Sequence, residues 1–314
     1  MPLFSLILVI LIGATAVVKG AVWFVEAAAW IARRTGFSEL TVGATVVALA
    51  TTLPEAVVSA YAAWAGHPGL SLGNALGSCL ANGALILGAA ALLGGFIAAG
   101  PDLGPYCLVL LGLLGKLAWL VRAGWLNRSG AALLLALGAI TACQVWWWSS
   151  RHRTIPSPAP VEQGPAPAGQ LLRFCLGAGL VGLGSRFLVV AAGQLAMLIG
   201  LEEAVIGLTV VSLGTSLPEL ATTVAAVVSK HQGLALGNLL GANLLNLTLV
   251  PGLAGLIRPL PVGPAARAVY LPLVASLTVL LLVFAVFRRG LGRPEGATLL
   301  VLYGLFLALA LGLR

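Results

Sequence analysis

The sequence predicts an all-α polytopic membrane protein, with ten transmembrane helices arranged as two inverted five-helix repeats. Three observations carry this expectation. Hydrophobic residues make up 60% of the 314-residue chain and charged residues only 8%. Soluble domains carry about a quarter charged residues, so this chain cannot cover a water-facing surface. Apolar runs of about 20 residues, the length that crosses a bilayer core as helix, recur from one end to the other. The chain also repeats itself, without a gap, after 164 residues.

Breaks at glycine, proline and charged residues delimit helices at roughly 3–32, 37–65, 70–95, 103–121, 129–149, 170–199, 202–229, 234–257, 266–287 and 295–313. The first begins "MPLFSLILVILIGATAVV", which lacks the basic region of a signal peptide, and it closes at Arg33-Arg34. The second and seventh contain a proline and a glutamate within apolar sequence; the third and eighth are rich in glycine and asparagine. One segment differs from all the rest. "RHRTIPSPAPVEQGPAPAG", 151–169, is polar and proline-rich and reads as an extended linker. It separates a first repeat, 1–150, from a second, 170–314.

The 164-residue shift places Gly36 on Gly200, Glu55 on Glu219, Gly73-Asn74 on Gly237-Asn238, Asn82 on Asn246 and Gly88 on Gly252. Five helices is an odd number, so the second repeat enters the membrane from the opposite side, which is an inverted-topology repeat. Loop charges set the orientation. With the N-terminus outside, Arg33, Arg34, Arg151, Arg153, Arg173, Lys230, Arg288, Arg289 and Arg293 fall inside, against Arg122, Arg128, Arg258, Arg267 and Arg314 outside. The bias is expected to place both termini outside and the linker in the cytoplasm.

The net charge of +8 does not point to nucleic acid, because the basic residues sit singly or in pairs between apolar runs. Cys79, Cys107, Cys143 and Cys175 have no paired spacing, so neither a disulfide framework nor a zinc site is expected. No nucleophile elbow, zinc-protease motif or P-loop is present, which leaves neither an enzyme nor an ATP-driven pump.

Among the nine acidic residues, Glu26, Glu55 and Glu219 lie inside apolar spans. A carboxylate at bilayer depth costs several kcal/mol and marks an ion or proton path. Glu55 ends "ATTLPE" and Glu219 ends "GTSLPE". Pro54 and Pro218 displace the carbonyls of Ala50 and Gly214 from the helical ladder. Thr51, Thr52 and Glu55 in one half, and Thr215, Ser216 and Glu219 in the other, are hard oxygen donors suited to Ca2+ and Na+. A proline-kinked helix with a structurally paired glutamate is the plainer alternative; its occurrence twice at equivalent positions argues against it. Gly73, Gly77, Gly237 and Gly241 have the i, i+4 spacing that permits close helix contact. Asn74, Asn82, Asn238 and Asn246 offer amide oxygens, either to an ion or to an interhelical hydrogen bond. Lys19, Glu26 and Arg186 are expected to pair structurally or to snorkel. His67 and His231 read as loop histidines, with a pH sensor as the weaker alternative.

"GATVVALATTLPE … LGNALGSCLAN" and "GLTVVSLGTSLPE … LGNLLGANLLN" resemble the two α-repeats of the Na+/Ca2+ exchanger family, within the cation/Ca2+ antiporter superfamily. The resemblance implies a central core of ion sites, across which the long first and sixth helices slide. It implies that Glu55 and Glu219 bind Ca2+ and Na+ in competition. Thr51, Thr52, Thr215 and Ser216, with the carbonyls of Ala48 and Ser212, complete the sites, and Ser78, Asn82 and Asn246 match further liganding positions. Departures exist: Ala242 stands where a serine is usual, Asn246 where many members carry aspartate, Ala50 for the glycine of G-T-S-L-P-E, and Cys79 for the asparagine of G-S-N. The expected function is Ca2+/Na+ antiport by alternating access, with Ca2+/H+ exchange as the alternative and a Ca2+ channel as a rival of another class. No cofactor and no protein partner is implied; the partners are the transported ions and the lipid bilayer.

Overall fold

The computed structural model of the chain describes residues 3–95, 97–98, 103–151, 167–198 and 212–312. They form α1 (Leu3–Thr35), α2 (Glu39–Trp64), α3 (Gly69–Gly94), α4 (Leu103–Leu120), α5 (Arg128–Arg151), α6 (Pro167–Leu198), α7 (Leu217–Val228), α8 (Gln232–Ile257), α9 (Ala266–Arg288) and α10 (Arg293–Gly312). Most of the linker and the stretch 199–211 lie outside the described residues. Eight of the helices, all but α7 and α10, are long and apolar enough to cross a membrane. Their outward faces carry large apolar side chains such as Leu11, Val57, Leu108 and Val286, as a lipid-facing surface requires.

Local chemistry sets the boundaries. Gly36 takes φ 72°, a left-handed turn that ends α1 at little cost. Two residues on, Ser38 caps α2, its Oγ accepting from the Thr41 backbone N–H at 3.1 Å. Asn127 opens α5 in the same way, accepting from the Gly130 N–H at 2.8 Å. At α10 the Glu295 carboxylate accepts from the Gly292 N–H and from Arg288, each at 2.9 Å.

α3 and α8 are the most buried helices and form the centre. α2 and α7 lie against them, α5 covers α8, α10 covers α3, and α1 packs along α6. Glycines set the closest approaches. A Cβ at Gly13 would lie 3.0 Å from the Gly184 carbonyl oxygen, and one at Gly20 would lie 2.8 Å from that of Gly177. The 164-residue shift carries Gly13 to Gly177 and Gly20 to Gly184, so the two contacts are images of one another. Gly237 and Gly241 of α8 abut Leu40 and Ala44 of α2, as their spacing predicts.

The helices depart from the expected pattern in three ways. α2 and α3 each contain a π-helical turn, Gly43–Val47 and Ala81–Ile86. The α2 helix runs unbroken through Pro54, whereas the corresponding segment of the second half breaks. A helical turn at Ser212–Thr215 ends at Ser216, and Pro218 then sits in the first turn of α7, where a missing N–H costs nothing. The fold also contains two small antiparallel ladders. β1 (Ile97–Ala98) pairs with β4 (Gly290–Leu291), and β2 (Trp125–Leu126) pairs with β3 (Leu260–Pro261). They tie the α3–α4 connection to the α9–α10 connection, and the α4–α5 connection to the α8–α9 connection. Under the 164-residue shift each ladder falls within one residue of the other.

Candidate ion-binding site

Glu55 of α2 and Glu219 of α7 are both fully buried at the centre of the bundle. Each follows its proline directly, one turn after the hydroxyl pair Thr51-Thr52 or Thr215-Ser216. Helical spacing brings the hydroxyls and the carboxylate onto neighbouring faces of the same turn. The two motifs meet: Thr52 Oγ1 donates to Glu219 Oε1 at 3.2 Å. The two carboxylates also lie close enough to act on one another electrostatically.

Asparagines from α3 and α8 bracket them. Thr51 Oγ1 lies 3.1 Å from Asn238 Oδ1 and 3.2 Å from the Ala48 carbonyl. Thr215 Oγ1 donates to Asn74 Oδ1 at 3.3 Å. These two interhelical bonds exchange under the 164-residue shift. The amide nitrogens are held in matching fashion: Asn238 Nδ2 donates to Thr222 and Thr223, and Asn74 Nδ2 donates to Ser59. Ser216 and Ser78 hydroxyls sit 3.3 Å apart. Asn82 Nδ2 donates to Asn243 Oδ1 at 3.1 Å. Asn246, on the same helix as Asn238 and Asn243, is fully buried.

The structure thus brings together Thr51, Thr52, Glu55, Ser78, Asn82, Ser216 and Glu219, with Thr215 at the half-buried edge. The Ala48 carbonyl accepts from Thr51. Ser212 begins the turn before Thr215, and its side chain lies outside the described residues. Thr222, Thr223, Ser59 and Asn243 were not singled out from sequence, although the first three are hydroxyls on proline-motif helices facing an asparagine already noted. Elsewhere, of the two alternatives expected for Lys19 and Glu26, structural pairing is not found: both are exposed and no ion pair joins them, which leaves snorkelling. His231 lies in the α7–α8 turn as expected, and its Nδ1 lies 2.7 Å from Glu39 Oε1, tying that turn to the start of α2.

The polar groups divide into satisfied and unsatisfied. Both oxygens of Glu55, Glu219 Oε2, Asn82 Oδ1, and both ends of the Asn246 amide are buried without a hydrogen-bond partner. A buried polar atom left unpaired costs about 1–3 kcal/mol, and more when it is charged. Clustered oxygens of this kind are stable when a cation compensates them. Two carboxylates with neutral oxygens form a hard donor set that suits Ca2+ and Na+ rather than a soft transition metal. No group of three or more His, Cys, Asp or Glu occurs among the described residues.

The model of the sodium/calcium exchanger protein family matches residues 5–147 and again residues 169–312. The chain belongs to this family. Its members are exchangers rather than enzymes, and this protein is an antiporter of that family. It is 33% identical over 305 residues to a protein of Alkalimonas amylolytica designated CaxA, covering 94% of this chain and 95% of that one. It is 28% identical to the sodium/calcium exchanger MaX1 of Methanosarcina acetivorans, covering 96% and 97%. A solved structure of the sodium-calcium exchanger NCX_Mj, soaked with Na+ and Ca2+, superposes with a TM-score of 0.86 at 30% identity, covering 98% and 99% of the two chains.

Proposed function

We propose that this exchanger-family protein carries Ca2+ in one direction and Na+ in the other, through ten transmembrane helices in two inverted repeats. The observation that carries the reading is the pair of buried glutamates with unpartnered oxygens. Thr51, Thr52, Thr215, Ser216, Ser78, Asn82 and Asn246, and the carbonyls of Ala48 and Ser212, supply the remaining ligands. Two ionised glutamates give the site a charge of about −2, which one Ca2+ or two Na+ neutralise. Both ions need the same carboxylates, so binding is exclusive. Crossing the membrane with the site uncompensated buries bare charge, which suppresses leak and enforces exchange.

Three further features support alternating access. The reciprocal Thr51–Asn238 and Thr215–Asn74 bonds are what a two-fold pseudo-symmetric core produces. The two ladders tie connections that an inverted repeat with both termini outside puts on a common face. Thr51 and Asn238 are buried, while Thr215 and Asn74 are partly exposed, the kind of asymmetry that a site open more to one side than to the other has.

The test is 45Ca2+ flux in proteoliposomes under an imposed Na+ or pH gradient. Na+-driven, saturable uptake is expected, and Glu55→Gln or Glu219→Gln should remove most of it while the protein still elutes as a single folded species. Uptake that ignores Na+ and follows a pH gradient would replace this reading with Ca2+/H+ exchange. Wild-type rates in both glutamine variants would refute the site.

A further inference from the structure

We propose that Asn243 is a positioning residue that aims the Asn82 carbonyl oxygen at the transported cation, and that Cys79 is its missing counterpart, which leaves Asn246 unheld. The inference rests on the ion-site reading above and adds to it two residues that touch no ion.

An asparagine amide is ambiguous at a cation site. Its oxygen ligates and its nitrogen repels, and one rotation exchanges them. Something must choose. For Asn82 the choice is visible: Nδ2 donates to Asn243 Oδ1 across the α3–α8 contact at 3.1 Å. A planar amide whose nitrogen is held on one side presents its oxygen on the other. Asn82 Oδ1 is buried and has no protein partner.

The second half lacks this device. The 164-residue shift carries Asn82 to Asn246 and Asn243 to Cys79. The partner that would hold Asn246 is therefore a thiol, at best a weak acceptor. Cys79 is buried and its Sγ is directed instead to the Asn243 carbonyl, 3.8 Å away. Asn246 shows the consequence, since both its Oδ1 and its Nδ2 are buried and unpartnered. The Thr51–Asn238 and Thr215–Asn74 bonds keep the repeat symmetry. It is lost where cysteine faces asparagine, as it also is at the Thr52–Glu219 bond, which has no Ser216–Glu55 counterpart. One amide is fixed as a ligand; the other is free to offer oxygen to a cation or N–H to a carboxylate.

The experiment is equilibrium Ca2+ binding by isothermal titration to the purified full-length protein, with Glu55→Gln as the control for the ion site itself. Asn243→Ala should weaken Ca2+ binding about tenfold, equivalent to about 1.4 kcal/mol. The same substitution on an Asn82→Ala background should add nothing. A merely structural role for Asn243 would weaken binding equally on both backgrounds, and that result overturns the proposal. Tighter binding in Asn243→Ala also overturns it, because the amide pair would then be held in the opposite sense. Cys79→Asn supplies a second arm that does not depend on the first variant folding. It should tighten Ca2+ binding several-fold, and the gain should vanish with Asn246→Ala; no gain refutes the Cys79 half. If wild type binds Ca2+ and Glu55→Gln does not, a failure of these variants falls on the inference alone. No Ca2+ binding by wild type overturns both.

Discussion

Replacing Gly43 with alanine tests the link between helix packing and the site. Gly43 lies in the π-helical turn of α2, against α8. A Cβ there would sit 2.6 Å from the Leu234 carbonyl oxygen and 3.0 Å from the Asn238 backbone nitrogen. Ordinary contact begins near 3.4 Å, so the helices must part by about 0.8 Å. Overpacking of this kind costs about 1–3 kcal/mol. The same movement stretches the 3.1 Å Thr51–Asn238 bond beyond hydrogen-bonding range, a further loss of about 0.5–1.5 kcal/mol. Alanine returns about 1 kcal/mol through its better helix propensity. The net expectation is a destabilisation of about 0.5–3.5 kcal/mol, together with weaker Ca2+ binding, because Thr51 loses the partner that fixes it. Thermal unfolding in detergent and Ca2+ titration measure the two effects. Gly112→Ala is the control: Gly112 is exposed on α4 with open space at its Cβ, and its replacement should leave both quantities unchanged or stability slightly raised. If Gly43→Ala melts with wild type and binds Ca2+ equally well, the packing does not hold the site and the reasoning fails.

Two further outcomes are expected. On a cysteine-free background, Ser157→Cys in the linker should be labelled only from the cytoplasmic side and Asn127→Cys only from outside; labelling of both from one side breaks the inverted topology. Ala242→Ser combined with Asn246→Asp restores a hydroxyl and a carboxylate, and should strengthen Na+ competition against Ca2+ uptake with the pH gradient collapsed; unchanged competition would remove Ala242 and Asn246 from the Na+ path.

Much of this architecture was legible in the sequence, because each legible feature is a cost that only one arrangement offsets. Glu55 and Glu219 stand out because buried carboxylates are expensive in a bilayer. Gly237 and Gly241 stand out because small residues at helical spacing bring backbones together, and they do so against Leu40 and Ala44. Other features were hidden because they belong to the geometry between helices. The prolines were equivalent in sequence, yet Pro54 lies inside a continuous helix while Pro218 starts a new one after Ser216. The loop residues His231 and Glu39, 192 positions apart, gave no local sign that they would pair.

The Cys79–Asn243 position shows where such reading stops. The shift that aligns the repeats also sets the cysteine opposite the asparagine, so the asymmetry itself could be seen in the letters. Its meaning could not. Only the contact between α3 and α8 reveals that the residue three positions before Asn246 reaches Asn82, and that the residue three before Asn82 faces back across the same contact. A residue where the two halves meet acts twice, once in its own half and once against the other, as Asn243 and Cys79 do. A single substitution in one half therefore alters the contacts of a residue in the other. The unheld Asn246 amide is what that rule predicts when cysteine takes the place of asparagine.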